Sequence, residues 1–306
     1  MSQLDKFLQS AEALLERVER LLPVASDCEP DWAAAIAWRW RGAQQRPGLQ
    51  AITRPHGIGL TDILCMEQQK LEIDRNTRQF IANLPANNVL LWGARGTGKS
   101  SLIKALLNEY AEQGLRLVEV DKQHLIDLPD ILNHLYQRPE KFILFCDDLS
   151  FEADDPSYKA LKAALDGSLS VLPDNVLIYA TSNRRHLLPE FHRDNLEASH
   201  YEGEIHHGES VEEKISLSER FGLWLAFHPF TQDQYLSVLR AWAEKQGVNA
   251  SEWNDEIRVE ALRWALKRGS RSGRVAWQFA RDWSGRLQLE MLADVGEVTS
   301  KKIHTI

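Results

Sequence analysis

Cysteine, a surplus of basic residues and long apolar runs are all scarce in this chain. Three cysteines, Cys28, Cys65 and Cys146, stand among 306 residues. They are an odd number at spacings that match neither a zinc site nor a redox pair, which argues for a reducing compartment. No apolar run approaches the roughly 20 residues needed to cross a bilayer. The first residues, with Asp5, Lys6 and Glu12 among the apolar ones, lack the core of a signal peptide. A cytoplasmic protein without membrane contact is therefore expected. Acidic residues outnumber basic ones by 44 to 36, for a net charge of -8. That balance favours solubility and argues against broad nucleic-acid binding, while leaving room for a local basic patch.

Internal repeats and low-complexity tracts are also missing, and what remains reads as a globular chain long enough for two units. Near the start, Leu4, Phe7, Leu8, Ala11, Leu14, Leu15, Val18, Leu21 and Leu22 repeat as one helical face, and Pro23 ends it. Residues 31–41 carry Trp32, Ile36, Trp38 and Trp40 beside Arg39 and Arg41. A helical cap, a nucleic-acid contact, a partner surface and ordinary packing all stay open there, with packing the usual fate of tryptophan. Residues 42–59, rich in Gly, Pro, Gln and Arg, read as a connector. The middle alternates apolar runs at 88–92, 115–120, 142–146 and 176–180 with helical patterns, which implies a parallel sheet covered on both faces. After Pro229 only helical patterns follow, over about 231–245, 254–268 and 272–292, and Thr231 with Gln234 forms a capping box at the first. The expected organisation is an N-terminal helical extension and linker over 1–53, an α/β domain over 54–229 and a helical lid over 230–306.

The strongest chemical signal is Gly93, Ala94, Arg95, Gly96, Thr97, Gly98, Lys99 and Ser100, the full G-x-x-x-x-G-K-S pattern between an apolar strand and a helical run that opens with Ser101. Glycines let backbone N–H groups turn inward around phosphates, Lys99 reaches the β and γ oxygens, and the Ser100 hydroxyl ligates magnesium. ATP with Mg2+ is the expected ligand. A second apolar strand ends in Asp147 and Asp148. The first carboxylate suits the magnesium shell and the second can orient or deprotonate an attacking water, with Glu152 held in reserve for that task. A third strand ends in Thr181, Ser182 and Asn183, whose amide can hold the lytic water or sense the γ-phosphate. In the stretch 218–222, Arg220 is a candidate for the guanidinium that stabilises charge on the transferring phosphoryl group, against a plain surface arginine paired with Glu219 or Glu213.

In this order the motifs resemble the AAA+ ATPases: a Walker A loop, a Walker B strand ending in two acids, a sensor 1 Asn183, an arginine box at 218–222 and a helical lid. Within them, residues 84–100, 145–152 and 179–187 look like a bacterial AAA+ family known only as a domain of unknown function, the likeness running from about Arg54 to Trp283. The resemblance implies a P-loop NTPase sheet sandwiched by helices and followed by a small all-helical lid. It implies that Ile63 and Leu64 pack on adenine, and that Arg274, with Arg271 as the alternative, is a sensor 2 arginine. It also implies a homo-oligomer, ring or filament, in which Arg220 acts in trans on a neighbour. Two departures are plain: many members have Asp-Glu where Asp147-Asp148 stands, and a glycine often found after the adenine segment is Cys65.

The segment 184–214 carries His186, His192, His200, His206 and His207 among many acids, at spacings that demand no metal site, so a client or neighbour contact is expected. The leading functional reading is an ATPase (ATP + H2O to ADP + phosphate) whose lid moves against its core and so acts on an unidentified client. A nucleotide-dependent DNA-binding or helicase-loader-like module is the alternative, with Trp38, Arg39, Trp40 and Arg41 as its nucleic-acid contact. A small-molecule kinase fits less well, because the sensor and arginine-box order and the long segment before the loop have no part in it.

Overall fold

The apolar runs become neighbouring strands because each buries both of its faces. The computed structural model describes residues 30–42, 48–152, 155–166, 172–185, 187, 199–201, 204–206 and 217–303. The apolar-faced stretch at 4–22, Cys28 and most of the histidine-bearing stretch at 184–214 lie outside the described residues. In chain order the elements are β1 (Ala37–Arg41), β2 (Gly48–Ala51), α1 (Glu67–Ile81), β3 (Val89–Gly93), α2 (Lys99–Tyr110), β4 (Leu115–Glu119), α3 (Leu128–Leu135), β5 (Lys141–Cys146), α4 (Pro156–Asp166) and β6 (Val176–Ser182). A short antiparallel pair, β7 (Ser199–Tyr201) and β8 (Glu204–His206), stands apart. Then come β9 (Leu223–Phe227), α5 (Gln232–Lys245), α6 (Asp255–Lys267) and α7 (Gly273–Ile303).

Seven strands form one sheet in the order β2-β1-β4-β5-β6-β3-β9. All its pairs are parallel except β1 with β2. Side chains alternate across it with the period of two that strands impose. In β5, Ile143 and Phe145 join the core under α1 and α2, while Phe142, Leu144 and Cys146 join the core under α3 and α4. A strand buried on both sides has no polar face, which is why it reads as a continuous apolar run.

For the described residues of 1–53, expected as a helical extension and linker, the structure differs from that expectation. Residues 37–41 and 48–51 are strands of the sheet, β1 lying between β2 and β4. The physical reason is in the alternation Trp38, Arg39, Trp40, Arg41: the tryptophans are 4% and 3% exposed, and the arginines point outward. Trp38 packs beside Trp32, their ring centroids 5.0 Å apart, and Trp40 donates its indole N–H to Asp127 at 2.9 Å. Arg39 pairs with Glu119 at 2.7 Å, and Arg41 donates to Gln50 at 2.6 Å. Buried rings cannot stack on bases, so Trp38 and Trp40 serve packing.

After Phe227 the described chain is helical. Thr231 and Gln234 cap α5 reciprocally, the Thr231 hydroxyl accepting from the Gln234 N–H at 3.2 Å and the Gln234 side chain accepting from the Thr231 N–H at 2.9 Å. Asn254 caps α6 by accepting from the Ile257 N–H at 3.0 Å. Leu239, Ala276, Phe279 and Trp283 form a helical core continuous with the one under α1 and α2. No described helix is long and apolar enough to cross a membrane.

Candidate functional site

Parallel pairing brings the carboxyl ends of β3, β5 and β6 to one edge, where open α/β sheets place their ligands. The turn from β3 into α2 is built on glycine. Gly93 has φ 131°, and a Cβ there would lie 2.0 Å from the Phe227 carbonyl oxygen of neighbouring β9. Gly98 has φ 100°, a left-handed value that lets the chain turn into α2. Ala94 N–H donates to Phe227 O at 2.9 Å and Thr97 Oγ1 to Ala94 O at 2.9 Å, so the loop is closed on itself and tied to β9. The first residues of α2, Lys99 to Ser101, line the same space, and the first N–H groups of a helix lack partners within it, a favourable place for anions.

Lys99 lies beneath this loop. Its Nζ donates to Gly93 O and Ala94 O, both at 2.8 Å, and to Asn183 Oδ1 at 3.3 Å. Burial pushes its ammonium below the ordinary 10.5, opposed by the charges of Asp148 and Asp147 and reinforced by that of Arg95. The Ser100 hydroxyl donates to Asp147 Oδ1 at 2.6 Å. Asn183 Nδ2 donates in turn to Asp148, which takes a left-handed backbone with φ 52°. Hard oxygen donors such as the Ser100 hydroxyl and the Asp147 carboxylate suit magnesium, which takes one or two protein ligands and completes its shell with phosphates and water. Among the described residues no group of three or more His, Cys, Asp or Glu could hold a metal ion on its own.

These groups line one cavity of about 600 Å³. It holds Arg95 to Ser101, Asp147, Asp148, Asn183, Arg274, and Ile63 and Leu64 on an apolar wall. Gly93 and Ala94 support the loop from behind. Glu152 and Arg271 are not among the lining residues, and neither is Arg220, which forms an ion pair with Asp166 rather than with Glu219. Glu213 lies outside the described residues. The lid touches the loop directly: Arg274 N–H donates to Gly96 O at 3.4 Å, and a Cβ on Gly96 would meet Ser272 Oγ at 2.9 Å. An ion pair from Lys245 to Asp62 ties α5 to the segment that carries Ile63. Cys65 has φ 63°, which explains why glycine suits this position: a left-handed backbone costs other residues about 1–2 kcal/mol.

Sequence reasoning missed several lining residues. Trp242 on α5 and Trp277 on α7 close the apolar end with Phe230, and Lys104 on α2 adds a cation. Trp277 lies one helical turn after Arg274, the i,i+3 spacing that puts both on one face, so that signal was readable. Thr181 also lines the cavity and bonds to both acids.

The family model described as "Protein of unknown function (DUF815)" matches residues 33–287. Among curated proteins none matches the chain. Among solved structures, a Thermotoga maritima RuvB is similar at 16% identity with a TM-score of 0.51, covering 73% of this chain and 63% of that one. The Aeropyrum pernix ORC1 protein in complex with DNA is similar at 14% identity with a TM-score of 0.54, covering 76% of this chain and 62% of that one. The chain thus spans less than two thirds of either structure's length, and likeness at this identity is a likeness of fold. That fold is the AAA+ P-loop arrangement of sheet and helices.

Proposed function

Because the chain belongs to the family described as protein of unknown function (DUF815) and has an AAA+ fold, we propose that it is an ATPase whose lid moves against its sheet domain to act on a client protein. The observation that carries this reading is the linked set in one cavity, Lys99 to Asn183 to Asp148 and Ser100 to Asp147. In it, ATP lays its phosphates along residues 93–100 and its base against Ile63, Leu64 and the lid tryptophans. Lys99 exchanges its backbone carbonyl partners for β and γ oxygens. Ser100 and Asp147 hold magnesium, which neutralises phosphate charge when bound. Asn183 and Asp148 orient a water; its oxygen bonds to the γ-phosphorus as the bond to ADP breaks, and Asp148 takes the proton. Arg274, on a helix that touches Gly96, carries the change of charge to the lid. Arg220 serves the cavity of a neighbouring subunit in a homo-oligomer. The working bodies are proposed as the sheet domain through Pro229 and the lid from Phe230.

The test is phosphate release from ATP and Mg2+ with no added acceptor. Lys99→Ala should abolish tight ATP binding and leave the fold intact, since Lys99 gives charge to phosphates and its burial is unfavourable to the ammonium. Unchanged ATP affinity in this variant would falsify the assignment of the loop.

A second reading, nucleotide-dependent DNA binding, has one observation in its favour. Between Ala261 and Arg281 the chain carries Arg263, Lys267, Arg268, Arg271, Arg274 and Arg281 and no acid, although its net charge is -8. Binding to duplex DNA that weakens steeply with salt, and more weakly still in Arg263→Ala/Lys267→Ala, would favour it.

A further inference from the structure

The two acids at the end of β5 are held by the strand beside them. Thr181 Oγ1 donates to Asp147 Oδ1 at 2.6 Å and accepts from the Asp148 N–H at 2.8 Å. A hydroxyl has a single proton, so that of Thr181 is committed to Asp147. The Thr181 carbonyl accepts from the Leu149 N–H at 2.7 Å, and the Ser182 hydroxyl donates to Leu149 O at 2.8 Å. Three consecutive residues, 147 to 149, are thus clamped by two residues of β6. Thr181 is 2% exposed, so its hydroxyl is held among protein partners. Asp147 Oδ1 accepts from both Ser100 and Thr181. Its two lone pairs are used, and the remaining acceptor capacity of the carboxylate lies on Oδ2.

We propose that Thr181 is a positioning residue for the metal and water chemistry of the cavity. Its hydroxyl fixes the Asp147 carboxylate so that Oδ2 is free for a divalent cation, and through the Asp148 amide it holds the left-handed turn that aims the second acid at Asn183. The proposal rests on reading the cavity as an ATP and Mg2+ site. A threonine that only filled space would be replaced without loss by valine, which has the same shape and no hydroxyl.

The experiment uses the full chain with ADP, Mn2+ as the probe, and paramagnetic resonance of free Mn2+ to read affinity. Thr181→Val should bind ADP in the absence of metal as the wild type does and bind Mn2+ about 10- to 100-fold more weakly, the usual loss when a residue supporting a ligand is removed. Thr181→Ser, which keeps the hydroxyl, should lie within about 3-fold of wild type. In an Asp147→Asn background, Thr181→Val should add no further loss of Mn2+ affinity, whereas a general loosening of the fold would add to it. Wild-type Mn2+ affinity in Thr181→Val, with Asp147→Asn impaired, overturns the positioning role and leaves the site reading standing. Wild-type affinity in Asp147→Asn as well overturns both. If Thr181→Val lacks the wild-type circular dichroism, Thr181→Cys, a weaker donor, takes its place with the same expected direction.

Discussion

The amide oxygen of Asn183 accepts from Lys99 at 3.3 Å while its amide nitrogen donates to Asp148, so one side chain joins the phosphate-loop lysine to the second acid. In the proposed function, binding and water handling would therefore fall to adjacent but different residues. In the proposed reading Asp147 and Lys99 meet the ligand, and Asp148 stands one residue further, on a left-handed turn of its own.

Asp148→Asn should consequently keep ATP affinity and lose turnover. Asparagine preserves the shape of the side chain and tolerates a left-handed backbone, but it cannot accept a proton. A fall in kcat of about 10²- to 10⁴-fold is expected, with Kd for ATP changed little. Stopped-flow phosphate release and nucleotide titration separate the two. Turnover at the wild-type rate would transfer the role of base to Glu152, which is exposed and does not line the cavity.

Trp38→Ala should cost about 3–5 kcal/mol, the range for removing a large buried aromatic side chain. Trp38 is 4% exposed and packs on Trp32, which in turn packs on Phe142 of β5. A chain cut after Arg41 should fail to fold, because β4 would lose its neighbour β1. Urea midpoints report both. A truncated chain with the wild-type midpoint would remove β1 from the account of the fold.

Legibility followed the reach of the interactions. The phosphate loop could be read directly because its chemistry is local: glycines, a lysine and a serine within eight residues, between a strand and a helix. The capping box at Thr231 and Gln234 was readable for the same reason. β1 was not, because a five-residue strand with two tryptophans has a period of two too short to overrule the expectation of a helix, and its partner β4 lies about 80 residues on. The clamp by Thr181 was the least accessible. Its meaning depends on a register that places it beside Asp147 across 34 residues, and a threonine in an apolar strand is otherwise unremarked.

Stability should fall above pH 9, in part through Cys146. Burial first and the charge of Asp147 second push its thiol from the ordinary 9.0 up to about 12. Burial likewise pushes Tyr179 from 10.0 to about 12, against its hydrogen bonds with Thr77 and Asn76. A group whose pKa is raised on folding contributes in full below its unfolded value and loses that contribution as pH rises toward the folded one. The window for the thiol is thus pH 9 to about 12. Lys99 and Lys141, held below their ordinary 10.5 by burial, act in the opposite direction and are common to both proteins when Cys146→Ala is compared with wild type. The difference in urea midpoint between the two should be constant to about pH 8 and then shrink as the wild type loses its thiol contribution. A difference that stays constant to pH 11 would show that the thiol does not titrate differently on folding.

Arg220 is expected to act on a neighbouring subunit. It does not line the cavity of its own chain, and its guanidinium is paired with Asp166 at the end of α4. A cation that meets phosphate only in a partner's site should matter little to ATP affinity and greatly to rate, because it acts chiefly in the transition state. Arg220→Ala should bind ATP normally and hydrolyse it about 10³-fold more slowly or worse. Asp166→Ala separates this from a structural role. It breaks the same ion pair but leaves the guanidinium in place, so its rate should fall far less than that of Arg220→Ala, whereas equal losses would point to the pair itself. The sharper test mixes Arg220→Ala with Lys99→Ala, each inactive alone. A mixed assembly contains interfaces in which an intact loop from one subunit meets an intact arginine from the next, so part of the activity should return. If subunits exchange, as a fluorescence energy-transfer signal between labelled chains would report, and activity still does not reappear, Arg220 works within its own chain and hydrolysis does not require a neighbour's guanidinium.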